Sequence, residues 1–198
     1  MALIVEGEPT PAVVWIPAPA ANSNRSISAT VHRTTQTADK VMDSVLRGGK
    51  PTLVVMMKPL CDDIHSDPSG PRRMMLSGEI MRRLVESDVR VGEVPPMTLN
   101  KWTLGKFVAG KQGQELVTKT VKSTFHGIDT ADLNDKFRWS TVALAAAGAL
   151  AVGIETRIEV TDARLRDLRQ MVLPSTWTLP ATAIEWHQKH SLQKEEVA

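Results

Sequence analysis

A short segment late in the chain constrains the fold most, because its side chains alternate strictly in character. Residues 154–160 read Ile-Glu-Thr-Arg-Ile-Glu-Val. Successive side chains of a β-strand point to opposite faces, so this order predicts a strand with one apolar and one charged face. Strands with one face in water are typical of antiparallel sheets. We therefore expect the apolar residues of this segment in the core, and Glu155, Arg157 and Glu159 in water.

Patterns elsewhere in the chain predict further strands and several helices. Strands are predicted at Ser26–Arg33, Thr52–Met57 and Glu115–Phe125, although valines four residues apart make the last segment equally suited to a helix. Apolar spacing and capping residues predict four helices, at Ala38–Leu46, at Arg72–Ser87, after Thr161 and at Ala181–His190. The order contains no regular βαβ repeat. It predicts an α+β fold, an antiparallel sheet with three to four short helices packed on it.

The composition is that of a folded protein without disulfide bonds. Of 198 residues, 42% are hydrophobic and 23% are charged, which suits one globular domain. The single cysteine, Cys61, excludes an internal disulfide and predicts a reducing compartment. The start lacks the basic region of a signal peptide, and the most apolar window, Val142–Ile154, is too short to span a bilayer. We expect an extended arm at 1–25, one α+β domain at 26–192 and a frayed tail at 193–198.

The predicted arm contains an apolar run between prolines. Four prolines prevent a helix here, while Val13, Val14, Trp15 and Ile16 are too apolar to stay in water. The run must pack on its own domain or on a neighbouring copy, and the sequence alone leaves both open. We expect self-association through these four residues, so that removal of residues 1–25 would weaken assembly and leave the fold intact.

A second feature is a basic segment in the middle of the chain. Between residues 101 and 124 there are five lysines and one glutamate, a net charge of +4, in a chain whose total is +2. Lysines interleaved with aromatic rings are typical of surfaces that bind nucleic acid or anionic lipid. The predicted anion-binding residues are Lys101, Trp102, Lys106, Lys111, Lys119 and Lys122. The alternative is a solvated face whose rings belong to the core.

No catalytic motif accompanies these features. The loop residues that could hold a metal ion are Cys61, Asp62, Asp63, His65 and Asp67. They lack the Cys-x-x-Cys or i, i+4 histidine spacing of established sites, and acids are common in such loops. We therefore expect no metal, no cofactor, no catalytic residue and no small-molecule substrate, hence no enzyme. An enzyme whose site forms only in the fold remains an alternative.

The layout resembles that of a matrix protein of a negative-strand RNA virus, of rhabdovirus type. The resemblance rests on the proline-containing arm, on the order strand, helix, strand over Ser26–Met57, and on the late segment 153–160 followed by a helix and a Trp. It implies a non-enzymatic virion protein that associates with itself, contacts the viral nucleocapsid or RNA, and lies against an anionic membrane in the host cytoplasm. A small RNA-binding coat protein is the alternative.

Overall fold

A computed structural model describes residues 1–8, 10–20, 26–59, 69–128 and 135–197, with side chains from 139 to 190 in the last range. Within these ranges the chain forms seven helices and four short strands. The elements in chain order are β1 Ala2–Leu3, β2 Ala12–Val13, α1 Ile27–Leu46, β3 Val54–Met57, α2 Gly70–Glu86, β4 Val91–Val94, α3 Pro96–Leu104, α4 Gly110–Thr124, α5 Asp135–Ala151, α6 Asp162–Leu168 and α7 Ala183–Val197.

The predicted α+β class is confirmed, but its details differ. Strands β1 and β2 form one antiparallel pair, and β3 and β4 form another two-stranded sheet. Helices therefore dominate, and the single antiparallel sheet with three to four helices is wrong. The chain divides into two compact units. Unit 1 comprises Met1–Val14, Val55–Met57 and Gly92–Ala198, and unit 2 comprises Trp15–Val54 and Lys58–Val91.

Unit 2 is built on α1, which begins where a strand was predicted. The side chain of Ser26 accepts a hydrogen bond from the backbone N–H of Ala29, 3.1 Å away, and so caps the helix. Thr30, Thr34 and Thr37 each donate a hydroxyl hydrogen bond to the carbonyl four residues earlier. Their β-branched side chains, which favour a strand on propensity, are accommodated in the helix in this way. The predicted helix Ala38–Leu46 is its second half.

Helix α2 confirms the helix predicted at Arg72–Ser87. Leu84 is fully buried and α2 packs against α1. Glu79 is hydrogen-bonded by Arg82 and Arg83, and these guanidinium groups lower the pKa of its carboxyl to about 2. Arg83 also pairs with Asp39 of α1, so charged side chains join the two helices at their edge.

Unit 1 is assembled around α5. From residue 142 to residue 151 this helix is apolar, and Val142, Ala143, Ala146, Ala147 and Leu150 are at most 1% exposed. Helix α4 packs against it, and so does the β1–β2 hairpin. Small alanine side chains let these neighbours approach closely. No described helix is long and apolar enough to cross a bilayer.

The segment 154–160, expected as a strand, has no regular secondary structure. The predicted burial is confirmed in part: Ile158 is 6% exposed and Glu155, Arg157 and Glu159 are exposed, but Ile154 and Val160, which were expected in the core, are only half-buried. The backbone N–H of Ile158 donates to the Thr156 hydroxyl, 3.2 Å away, instead of to a neighbouring strand. A local side-chain bond has replaced the sheet ladder.

The first residues form a hairpin instead of a free arm. Ala2 lies opposite Val13 and Leu3 opposite Ala12, and the N–H of Val14 donates to the Met1 carbonyl at 2.9 Å. Ala2, Ile4 and Val13 pack against the core of unit 1. The expectation that residues 1–25 stay outside the core is therefore corrected for this hairpin. The predicted boundaries at 25 and 192 stay predictions.

This packing generates a stability prediction for two adjacent valines. Val13 is half-buried against the core, whereas Val14 is 40% exposed. Val13→Asp places a charge on apolar neighbours and is expected to lower the free energy of unfolding by about 2 kcal/mol, with Val14→Asp within about 0.5 kcal/mol of the parent. Urea denaturation measures both. Equal effects would mean that the hairpin does not pack on unit 1.

Candidate nucleic-acid interface

The candidate interface is built on α4, a segment predicted as either strand or helix. Val117 and Val121, four residues apart, are buried against α5, and Phe125 follows them at the end of the helix. This spacing matches one face of a helix and outweighs the β propensity of its Thr and Val residues. The polar side chains of α4 are therefore turned away from the core.

Three lysines of α4 share its exposed side. Lys111, Lys119 and Lys122 are all exposed, and at 3.6 residues per turn they fall within about 80° around the helix axis. Glu115 lies among them, so this lysine face carries three positive charges and one negative, a net charge of +2. The loop before α4 adds exposed Lys106 and Phe107, whose ring is 59% exposed.

The other two predicted binding residues have structural contacts. Lys101 Nζ lies 2.6 Å from the Asp167 carboxylate, and that side chain is only 5% exposed. Trp102 is fully buried, where α3 packs on α6. The structure therefore separates Lys101 and Trp102 from the lysine face. For Trp102, the alternative prediction, that its ring belongs to the core, matches the structure.

At the C-terminal end of α4 the structure adds two residues that the sequence did not suggest. Arg157 Nη1 lies 3.4 Å from the carbonyl oxygens of Thr124 and His126. His126 follows Lys122 by four residues and is exposed. Exposure of Arg157 was predictable from the alternation in 154–160, but its approach to α4 is a long-range contact that no local pattern encodes.

A cavity of about 210 Å³ opens beside Arg157. Its lining combines apolar and charged groups, namely Ile4, Glu8, Pro11, Phe125, Glu155, Thr156 and Arg157. Glu155 Oε1 also lies 3.7 Å from His187 Nδ1 of α7. The cavity thus holds carboxylate acceptors and a guanidinium donor around a partly apolar space.

The described residues contain no group of three or more His, Cys, Asp or Glu that could hold a metal ion. The candidate ligands Cys61, Asp62, Asp63, His65 and Asp67 lie outside the described residues.

In α7, which was predicted as a helix at Ala181–His190, His190 is buried and its ring lies 4.8 Å from that of Trp186.

The predicted self-association residues divide between the two units. Val13 packs within unit 1, while Trp15 of unit 2 is 63% exposed and Ile16 is half-buried. In unit 2, the carbonyls of Pro17 and Pro19 accept hydrogen bonds from Lys40 Nζ at 3.3 Å and Arg33 Nε at 2.7 Å. Side chains of α1 therefore hold the segment that follows Trp15. Self-association through Val13, Val14, Trp15 and Ile16 stays a prediction.

Comparison with known proteins reveals a similarity in fold. No protein-family model matches the sequence, and no curated protein does. The structure of Thermus thermophilus RuvC is similar with a TM-score of 0.52 and 15% identity, over 77% of this chain and 87% of that one. T. thermophilus RuvC in complex with a Holliday junction substrate gives a TM-score of 0.48 and 15% identity, over 73% and 82% of the two chains.

The similarity to the first of these structures overturns the interpretation as a viral matrix protein. The fold that the chain shares with it is not the layout on which the matrix protein, the coat protein and the expectation of no enzyme rested, so these three predictions are corrected. The nucleocapsid and membrane partners have no support in the match. Part of the physical reason is that the first strand of the supposed matrix layout, Ser26–Arg33, is the beginning of α1.

The ion pair between Lys101 and the buried Asp167 carboxylate leads to a prediction about stability. Lys101→Ala leaves the buried Asp167 carboxylate without its cation, so the free energy of unfolding should fall by about 2 kcal/mol or more. Lys106→Ala removes an exposed lysine and should change it by less than about 0.5 kcal/mol. Urea denaturation compares the two variants. If both unfold like the parent chain, the Lys101–Asp167 pair has no structural role.

Proposed function

We propose that this chain binds nucleic acid through the lysine face of α4 and the loop before it. The observation that carries the proposal is the exposure of Lys106, Lys111, Lys119 and Lys122 on contiguous sequence, with Glu115 as the one acid between residues 101 and 124. Lysines on a rigid helix neutralise phosphates and release condensed counterions, which is the main source of affinity in sequence-independent binding.

The exposed ring of Phe107 favours unpaired strands as the substrate. It lies directly after Lys106 and four residues before Lys111, so a base stacked on it would leave its phosphates near two cations. Stacking of bases on aromatic side chains is tolerant of sequence and is typical of single-strand binding. Base pairs in a duplex would not be free to stack in this way.

The likeness to RuvC supports a nucleic-acid partner, since one RuvC structure contains a Holliday junction. It makes cleavage of the bound strand the second candidate function. Among the described residues, no group of three or more His, Cys, Asp or Glu is placed to hold a metal ion. Incubation with a labelled four-way DNA junction and Mg²⁺ tests this candidate, and uncut junction at protein excess would reject it.

Association of the chain with itself is also part of the proposal. Val14 and Trp15, which are 40% and 63% exposed, are its candidate contacts. Exposed apolar side chains of this size are common at protein interfaces, where their burial contributes much of the affinity.

Binding should depend on salt and on the lysine face. For three or four phosphate contacts on a single strand, the logarithm of the association constant should fall against the logarithm of salt concentration with a slope of about −2 to −3. The double variant Lys119→Glu/Lys122→Glu should weaken binding of a labelled 15-mer by about tenfold or more at low salt. Fluorescence anisotropy with DNA and RNA strands measures both quantities.

A matched control changes the same number of charges elsewhere. Lys58 and Lys189 are exposed outside α4 and its loop. The variant Lys58→Glu/Lys189→Glu alters the net charge equally and should lose much less affinity. If both double variants weaken binding equally, the attraction comes from total charge, and the lysine face is not the site.

A further inference from the structure

The cavity beside Arg157 continues the lysine face at the C-terminal end of α4. Phe125, which lines the cavity, comes three residues after Lys122, and Arg157 contacts the carbonyls of Thr124 and His126. A strand held by Lys119 and Lys122 would therefore pass the cavity mouth. The lining contains two carboxylates and a guanidinium group, which can form hydrogen bonds with the edge of a base. Binding of phosphates alone would not require the carboxylates.

We propose that this cavity holds one unpaired cytosine base of the bound strand. The inference rests on the proposed function and gives it a base preference. Among the described residues, Glu8 has no hydrogen-bond partner for its carboxylate, and Glu155 Oε1 lies 3.7 Å from His187 Nδ1. Carboxylates accept from the exocyclic N4 amine of cytosine, while the Arg157 guanidinium donates to acceptors such as cytosine O2 and N3.

The small volume favours a single ring over a fused purine, and the carboxylates favour a ring that carries an amino group. The volume of about 210 Å³ is below the range of roughly 300–1,000 Å³ that is usual for ligand pockets. Ile4, Pro11 and Phe125 provide apolar surface for the flat ring. Thymine and uracil carry an acceptor, O4, where cytosine carries its amine, and this oxygen would face the glutamates and be repelled. An unpaired strand presents the base without the energy needed to open a duplex.

The test compares two strands that differ at one base. Labelled (dT)15 and the same strand with a single central dC are titrated with the full chain, along with the matching RNA pair of oligo-U with and without one central C. The cytosine strand should bind about twofold tighter or more, because the contacts favour cytosine by about fivefold to a hundredfold in the registers that place it at the cavity, while the other registers bind as oligo-dT does. A preference seen only with DNA or only with RNA would identify the source of the base.

Variants of the cavity lining show whether the preference for cytosine comes from hydrogen bonds in the cavity or from the total charge of the protein. Glu8→Gln/Glu155→Gln replaces acceptor-only groups by amides that also donate to O4, so the preference for cytosine should disappear while oligo-dT binds at least as well. Glu159→Gln alters an exposed acid outside the lining and should keep the preference.

Three outcomes overturn the inference in distinguishable ways. If the parent chain binds both strands equally and Lys119→Glu/Lys122→Glu still weakens both, the cavity does not read the base and the proposed function stands. If no strand binds at any salt concentration, the proposed function fails and the cavity inference fails with it. Retention of the cytosine preference in Glu8→Gln/Glu155→Gln also overturns the inference, because the reading groups would then lie elsewhere.

Discussion

Burial of α5 is the constraint on which the rest of unit 1 depends. Over residues 142–150, where Val142, Ala146 and Leu150 are all out of water, α5 carries no polar side chain, so other elements must cover this part on several sides. Helix α4 supplies part of that cover through Val117 and Val121. Because α4 is fixed by this face, its opposite side has to face water, and that side carries the lysines.

The same packing connects the proposed binding residues to a rigid support. Phe125 is 1% exposed at the end of α4, and Ile158 is 6% exposed in the segment that carries Arg157. The end of α4 and the segment that carries Arg157 are therefore both anchored in the core by a buried side chain next to the contact. Sites built on well-packed elements hold their side chains more accurately than sites on free loops.

Sequence reasoning succeeded where one local signal was strong. The apolar spacing of α2 and the Thr161 side chain, which accepts from Arg164 N at 3.3 Å to cap α6, were both recognised. It failed where residue propensity and spacing disagreed, as at Ser26–Arg33, where a cap and hydroxyl back-bonds favour a helix. Segment 154–160 has the predicted burial at Ile158 and the predicted exposure of its charged residues, but not the predicted strand. Alternation encodes which side chains are apolar and not whether a partner strand exists.

The candidate site was predictable only in part, for a related reason. Local charge density identified the lysines of α4, but the sequence could not show that Lys101 is used by Asp167 or that Arg157 meets the end of α4. These are contacts between elements far apart in the chain. The predicted location, in a virion or in the host cytoplasm against a membrane, likewise stays a prediction.

Lysine footprinting tests the central claim most directly, because it reports on each amino group separately. The chain is acetylated with and without a saturating single-stranded 15-mer at low salt, and each lysine is quantified by mass spectrometry. The account predicts protection of Lys106, Lys111, Lys119 and Lys122, with exposed Lys58 and Lys189 unchanged. Equal modification at all six sites, or protection confined to the last two, would contradict a nucleic-acid interface on α4.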